Sequence, residues 1–386
     1  MKKTGKLVFI LVLAVVLAGS LWATGKSDSG AAAAKPLTKV NVGVHGNGGG
    51  ASAVAVAVER GYFTEYGIDP QITIVESGPV EMAAMRADTP TLDIGYIGAG
   101  VAWNPIDSSG NSLSFVFFDN LGNSERVIAR KGIFRDTNNN GKYDLPELYA
   151  GFRGKTVYME VGTTPGGYFK NLLAAINEEY AVADRLWIHC EDAAYLAGYT
   201  APNNRPENRV MVVNYANANI PAGMATAGSS TVDIAVAFEP VPSTIIKNVS
   251  TVEQVADINT LPKDKVFPAT FVANTKWFTS NPQVAKNFIY AIYKAALWRA
   301  ANADESMRMS ERLCARPNGT FDANAYFFPG LTEYREWFAN PNAMGYSYMR
   351  SLYNDRLPNI PQGSTPKSFE QAFDLAYMLQ AIQELR

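Results

Sequence analysis

The sequence is short of the groups most enzymes rely on. Its 386 residues hold two histidines, His45 and His189, and two cysteines, Cys190 and Cys314. No HExxH, GxSxG or paired-cysteine metal motif occurs. His189-Cys190-Glu191 opens like a zinc deaminase motif, but no PCxxC follows. Gly154-Lys155-Thr156 ends like a P-loop, but the position that needs the first glycine is Tyr149. No catalytic residue is therefore assigned. Net charge is -2 with no basic block, which argues against nucleic acid and anionic membrane surfaces as partners. A disulfide between Cys190 and Cys314 is the less favoured reading, since the two fall in different halves of the chain.

Long apolar runs are also missing, apart from one at the start. Lys2, Lys3 and Lys6 precede the run Leu7 to Ala18, and Ala23-Thr24-Gly25 supplies small residues at a cleavage point. That pattern is a signal peptide, residues 1–25, too short to span a bilayer as a mature helix. No lipobox cysteine stands at the cleavage point, so the expected location is periplasmic. Residues 26–37 read as a flexible Ser/Gly/Ala tether. The remainder, roughly 350 residues, suits two domains. An apolar content of 47% is enough for packed cores.

Two stretches echo each other. Met82-Ala83-Ala84-Met85 leads to Thr91-Leu92-Asp93-Ile94-Gly95, and Met224-Ala225-Thr226-Ala227 leads to Thr231-Val232-Asp233-Ile234-Ala235. Each reads as a helix end, a turn and an apolar strand, stopping at Gly98-Ala99-Gly100 or at Glu239-Pro240. Around the first, strands are expected at Lys39–Val44, Gln71–Val75, Leu92–Ile97 and Ser114–Phe118, with helices Ser52–Glu59 and Pro79–Ala87 between. Around the second, strands are expected at Glu125–Arg130, Lys155–Glu160, Met211–Asn214 and Asp233–Phe238, with a helix Tyr168–Ile176. Phe271–Asn274 reads as a return strand. Strand, helix, strand order implies parallel sheets with right-handed crossovers. Residues 38–122 with part of 270–386 would form one lobe, and 123–270 the other. Helices over 281–303 and 368–385 would pack on them through one apolar face each.

A glycine-bearing turn stands between strand and helix in each half. Gly46, Gly48 and Ala51 fit a weak dinucleotide fingerprint, but an exported chain seldom meets that cofactor. Backbone N–H groups at such a turn equally suit an anion or a polar ligand head. Thr163 and Thr164 form the matching turn, as ligand donors or as plain helix caps. Glu239 is either a cleft carboxylate or a hinge residue.

Asp136 to Glu147 fits the spacing of a calcium loop. Asp136, Asn138, Asn140, Asp144 and Glu147 place oxygens at the key positions, Lys142 offers its carbonyl, and Gly141 takes the sharp turn. A structural calcium ion is expected here, against the alternative of an Asx-rich surface turn.

With these residues in place, the chain resembles the periplasmic solute-binding proteins of ABC importers, in the nitrate/sulfonate/taurine and thiamine-pyrimidine-precursor branch. The matching pieces are Glu59-Arg60-Gly61-Tyr62-Phe63, Tyr66-Gly67-Ile68, Ser77-Gly78-Pro79, Leu92-Asp93-Ile94-Gly95-Tyr96, Phe152-Arg153-Gly154-Lys155-Thr156-Val157 and Phe238-Glu239-Pro240. The resemblance implies an α/β fold of two lobes, type II-like, with parallel-rich sheets flanked by helices and two crossovers. It places ligand contacts at His45, Asn47, Gly48, Tyr96, Gly98, Ala99, Gly100, Thr163, Thr164 and Glu239. It implies a small polar or anionic solute, an ABC permease as partner and no catalytic cofactor; a monomer is expected. No arginine stands where it would clamp a sulfonate or nitrate. The alternatives are an enzyme of the same fold, resembling pyrimidine synthases, and a dinucleotide-dependent oxidoreductase.

Overall fold

Two six-stranded sheets carry the molecule. The computed structural model describes residues 36–99, 104–107, 111–122, 124–225, 232–261, 268–360 and 362–385. The signal peptide, most of the tether, Gly100 and the span 226–231 of the second echo lie outside the described residues.

The first sheet is built from β1 (Thr38–His45), β2 (Ile68–Val75), β3 (Ile94–Gly98), β4 (Leu113–Gly122), β11 (Pro268–Asn274) and β12 (Tyr326–Phe327). The second holds β5 (Glu125–Arg130), β6 (Thr156–Met159), β7 (Trp187–Cys190), β8 (Arg209–Asn214), β9 (Ile234–Phe238) and β10 (Val252–Ala256). Their orders are β2-β1-β3-β11-β4-β12 and β7-β8-β6-β9-β5-β10. In each, a first strand is flanked by two parallel neighbours: β1 by β2 and β3, β6 by β8 and β9. An antiparallel strand then follows, β11 beside β3 and β5 beside β9. The echoed strands β3 and β9 thus hold equivalent places.

The chain passes between sheets twice. β4 ends at Gly122 and β5 begins at Glu125; β10 ends at Ala256 and β11 begins at Pro268. Each passage delivers the antiparallel strand that completes the sheet it enters. The two sheets have separate apolar cores, one around Val42, Phe117 and Phe288, the other around Val157, Phe169 and Val236. The long helix Pro282–Ala301 packs on the first, with Ala285, Phe288, Ile292 and Ala295 fully buried. Cys190 and Cys314 are both free.

Two helices start earlier than their sequences suggest. The helix expected from Ser52 begins at Gly48, because Asn47 caps it, its Oδ1 accepting from Gly50 N at 2.7 Å. The helix expected from Tyr168 begins at Thr164, with Pro165 in its first turn. One expected element is broken. Residues 368–385 form two helices, Phe369–Ala372 and Ala376–Glu384. Phe373 leaves helical geometry (φ -117, ψ 76) and stacks on Phe115 with ring centroids 4.5 Å apart. Burying that ring against β4 outweighs the helical hydrogen bonds lost.

Two glycines let a carboxylate into the first sheet. Gly43 on β1 lies opposite Gly95 on β3. The helix Gly78–Arg86 lays Glu81 across both, and a Cβ at Gly95 would stand 1.9 Å from Glu81 Oε1. Gly95→Ala is expected to destabilise the chain by about 1–3 kcal/mol through overpacking. Urea unfolding at neutral pH checks it; an unchanged midpoint would show that Glu81 moves freely out of the gap.

Candidate functional site

A cleft, partly open to solvent, lies between the two sheets where the chain crosses. The first lobe contributes His45, Asn47, Ser77, Gly78, Tyr96 and Gly98, from the ends of β1 and β3 and from two helix starts. The second contributes Thr163, Thr164 and Phe238. The crossings supply Ser124 and Glu125 on one side and Pro268 and Ala269 on the other. Asn47, Ser77 and Thr163 are the N-caps of three helices, Gly48–Glu59, Gly78–Arg86 and Thr164–Glu178. Helix starts carry unpaired N–H groups and partial positive charge, so this border favours acceptor oxygens.

Three buried networks hold the lining. The His45 ring is edge-on to Tyr96, and its Nε2 lies 2.9 Å from Glu81 Oε2. Glu81 is fully buried, and its Oε1 has no hydrogen-bond partner. Burial raises its carboxyl pKa above the ordinary 4.5, and the contact with His45 opposes that rise. Tyr96 Oη receives Asn120 Nδ2 at 3.1 Å, and Asn120 also donates to Asp119 Oδ2 at 2.7 Å. Asp119 is gripped in turn by both terminal nitrogens of Arg299, at 3.0 Å each, with both side chains wholly buried. Arg299 Nη1 donates to Ser52 Oγ at 2.9 Å as well. A chain of contacts therefore runs from the long helix to the cleft wall.

The third network bridges the lobes' junction. Thr164 Oγ1 donates to Glu125 Oε1, and Ser124 Oγ donates to the same oxygen at 2.7 Å. Burial raises the Glu125 pKa; the two hydroxyl donors lower it and nearby Glu239 raises it further. Among the described residues no lysine or arginine lines the cleft. The lobes touch at Gly98, where a Cβ would stand 2.5 Å from Thr164 Cγ2.

The residues singled out in the sequence divide. His45, Asn47, Tyr96, Gly98, Thr163 and Thr164 all line the cleft. Gly48 does not: a Cβ there would lie 2.6 Å from Met307 Sδ and 2.9 Å from the Tyr326 ring. Its lack of a side chain makes room for that packing. Ala99 is buried, its N–H donating to Pro268 O at 2.9 Å. Glu239 is turned to Arg126 Nε at 3.0 Å and to Ser243 Oγ at 2.8 Å, which fits the hinge alternative. His189 lies on β7, edge-on to Trp187 and away from the cleft lining. Ser77, Gly78, Ser124, Glu125, Phe238, Pro268 and Ala269 line the cleft as well and are not among the expected contacts. The one available signal was a glutamate opening a strand directly at a lobe crossing.

The loop Asp136–Glu147 closes on itself. Asp136 accepts from Gly141 N at 2.8 Å and from Asn140 N at 3.2 Å, with Gly141 at φ +77. Glu147 accepts from Thr137 Oγ1 at 2.6 Å and from Asp144 N at 3.0 Å, capping the helix Leu145–Phe152. These donors, Thr137 Oγ1 foremost, hold its carboxyl down to about 2. Asn138 and Asn140 both donate to Asp144 Oδ2, and Lys142 N donates to Asn140 Oδ1. Among the described residues no group of three or more His, Cys, Asp or Glu side chains is gathered as for a metal ion.

Comparison with known proteins bears on the fold. No family model matches the chain. A protein of Brucella abortus (strain 2308), whose name assigns it provisionally to the binding proteins, is 25% identical over 274 residues, 71% of each chain. The ligand-binding component of an ABC-type import system from Staphylococcus aureus superposes with a TM-score of 0.59 at 10% identity, over 89% of this chain and 99% of that one. The periplasmic aliphatic sulphonate binding protein SsuA of Escherichia coli gives 0.56 at 11% identity, over 87% and 91%. The desulfurization enzyme DSZB gives 0.52 at 12% identity, over 90% and 99%. The fold is that of the two-lobed periplasmic binding proteins. Among the described residues no helix is long and apolar enough to cross a membrane.

The buried carboxyls fix a pH dependence. An acid with a raised folded pKa holds its proton longer in the folded chain, so stability falls as pH rises from the ordinary value through the raised one. Glu81, Glu125 and Glu239 all act this way. Glu147 and Glu384, both lowered, act oppositely: their contribution is present above 4.5 and is lost as pH falls below it. Melting temperature should therefore peak in mild acid and decline above it. Glu81→Gln should flatten the decline above the ordinary carboxyl value of 4.5, as read by calorimetric melts across a pH series. An identical decline in wild type and variant would remove Glu81 as a cause.

Proposed function

We propose that this chain is an extracytoplasmic solute-binding protein that captures a small polar or anionic solute in the interlobe cleft and delivers it to an ABC import permease. The observation that carries the reading is the cleft itself, lined from both lobes and both crossings, with three helix starts on its border. A solute held there touches both lobes only when they are closed. It therefore binds the closed state more tightly and shifts the population toward it. The basic, apolar and small-residue pattern of the first residues supports export to the periplasm.

A second reading, an enzyme of the same fold, has one observation in its favour. His45 paired with buried Glu81 is the form of a positioned acid–base couple. The two readings separate on the fate of the solute. A binding protein returns it chemically unchanged after hours of incubation, whereas an enzyme converts it.

A thermal-shift screen across sulfonates, nitrate, amino acids and pyrimidines tests the binding reading. A true ligand at a hundred times its Kd adds about 2.7 kcal/mol. Gly98→Leu should prop the lobes apart at Thr164 and weaken that ligand about 100-fold, ~2.7 kcal/mol, in calorimetric titration. Wild-type affinity in Gly98→Leu would place the ligand elsewhere.

For the loop Asp136–Glu147 we propose a structural calcium ion, supported by the register of its oxygens and by Gly141 at the sharp turn. Calcium should raise the melting temperature of wild type and leave Asp136→Ala unmoved. Equal wild-type melts in calcium and in chelator would leave the loop a self-satisfied Asx turn.

A further inference from the structure

His45 and Glu81 form a pair whose hydrogen can be placed by elimination. Glu81 is wholly buried on the helix Gly78–Arg86, and its Oε2 lies 2.9 Å from His45 Nε2. Its Oε1 is pressed against the paired glycines of β1 and β3: a Cβ would stand 2.5 Å from it at Gly43 and 1.9 Å at Gly95. Among the described residues no hydrogen bond reaches that oxygen. The ring of His45 is less enclosed. Its side chain is 16% exposed and lines the cleft, so it belongs both to the buried pair and to the cleft wall.

No other charge settles where the hydrogen goes. The strands beneath the helix carry Lys39, Asp69 and Tyr96 besides His45, and β11 carries no titratable side chain. Of these, His45 alone acts on the Glu81 carboxyl. Around the ring, Tyr96 is edge-on and held by Asn120, and Glu76, just beyond the β2 residue paired with His45, is exposed. Gly50 of the capped helix faces the ring, and that helix holds no charge before Glu59. Arg316 Nη2 would lie 3.9 Å from a Cβ at Gly46. Among the described residues none of these makes an ion pair with either member of the couple.

Three arrangements are available near neutral pH. A protonated Glu81 donates to Nε2, which leaves a neutral ring with its hydrogen on Nδ1. An ionised Glu81 faces an imidazolium, which carries hydrogen on both nitrogens. An ionised Glu81 faces a neutral ring donating from Nε2, which leaves Nδ1 bare. The third strands a full negative charge out of water, with Oε1 unmet and nothing positive beside it. The first two keep the pair neutral overall, and both put a hydrogen on Nδ1. Burial, which raises the Glu81 pKa, weighs the same way.

We propose that Glu81 is a positioning residue that keeps a hydrogen on His45 Nδ1, so that this ring presents an N–H donor on the cleft wall through neutral and mildly alkaline pH. Use of that donor on an acceptor atom of a solute rests on the cleft being the binding site, as set out above; the place of the hydrogen does not.

Nitrogen-15 NMR of the imidazole rings tests this on the ligand-free protein. The chain has two histidines, and His189→Gln, at an exposed position of β7, assigns the signals by removing one set. Above the ordinary imidazole value of about 6.5, His45 Nδ1 should keep the shift of a protonated nitrogen. Glu81→Met removes the carboxyl and keeps a long unbranched side chain. With folding checked by circular dichroism, it should let Nδ1 lose that shift as pH rises through about 6.5. The wild-type spectrum decides the place of the hydrogen even if Glu81→Met misfolds. A bare Nδ1 with a protonated Nε2 in the wild type above about 6.5 overturns the proposal. A folded Glu81→Met that keeps Nδ1 protonated overturns it as well, because the carboxyl would then not be the cause. A protonated Nδ1 in a protein that takes no solute in the thermal-shift screen supports this inference and counts against the cleft reading alone.

Discussion

Each sheet is completed by a strand that arrives from the other. β5 enters the second sheet directly after the first crossing, and β11 enters the first sheet after the second. Both take up hydrogen bonds on two sides: β5 with β9 and β10, β11 with β3 and β4. The strand at the far end of each crossing is thus anchored in a ladder on both of its sides. The floor of the cleft, Ser124 with Glu125 and Pro268 with Ala269, is made of the crossings themselves. Under the proposed function a solute on that floor would sit where the lobes join, and rotation there would change the gap between Gly98 and Thr164.

Rigid lobes are a condition of this arrangement. The pair Arg299–Asp119 is wholly buried, bidentate and further satisfied by Ser52 and Asn120. Removing one partner of such a pair typically costs about 3–5 kcal/mol, because the other charge is left stranded. Through Asn120 the same network reaches Tyr96 on the cleft wall. The wall is therefore braced by the core of the first lobe, and under the proposed function a solute would meet a preformed surface on that side.

Much of the fold was legible in the sequence because period-2 and period-3.6 patterns report burial locally. The echo around Ile94 and Ile234 marked the equivalent strands β3 and β9. Glycine was harder to interpret. It signals that something comes close, without saying what: at Gly48 the neighbour is Met307 and Tyr326, at Gly95 it is Glu81, and at Gly98 it is Thr164. Those partners are remote in sequence or on another element, so spacing could not separate a ligand turn from a packing turn. Glu81 and Glu125 were missed for a related reason. A glutamate on a short helix or at a strand start looks solvent-facing until the glycines and hydroxyls that receive it are in place. The break at Phe373 likewise depends on Phe115, a ring on the far side of the chain.

The most direct test of a closing cleft is a covalent lock across it. A Cβ at Gly98 would lie 3.9 Å from Thr164 Cβ, within the span a disulfide bridges. The double variant Gly98→Cys with Thr164→Cys should form that bond on oxidation, read as loss of two free thiols. Release of a prebound solute should then become far slower than in the reduced protein, and return to normal on reduction. A bond that forms while solute exchanges at the same rate in both states would show that binding does not pass through this cleft.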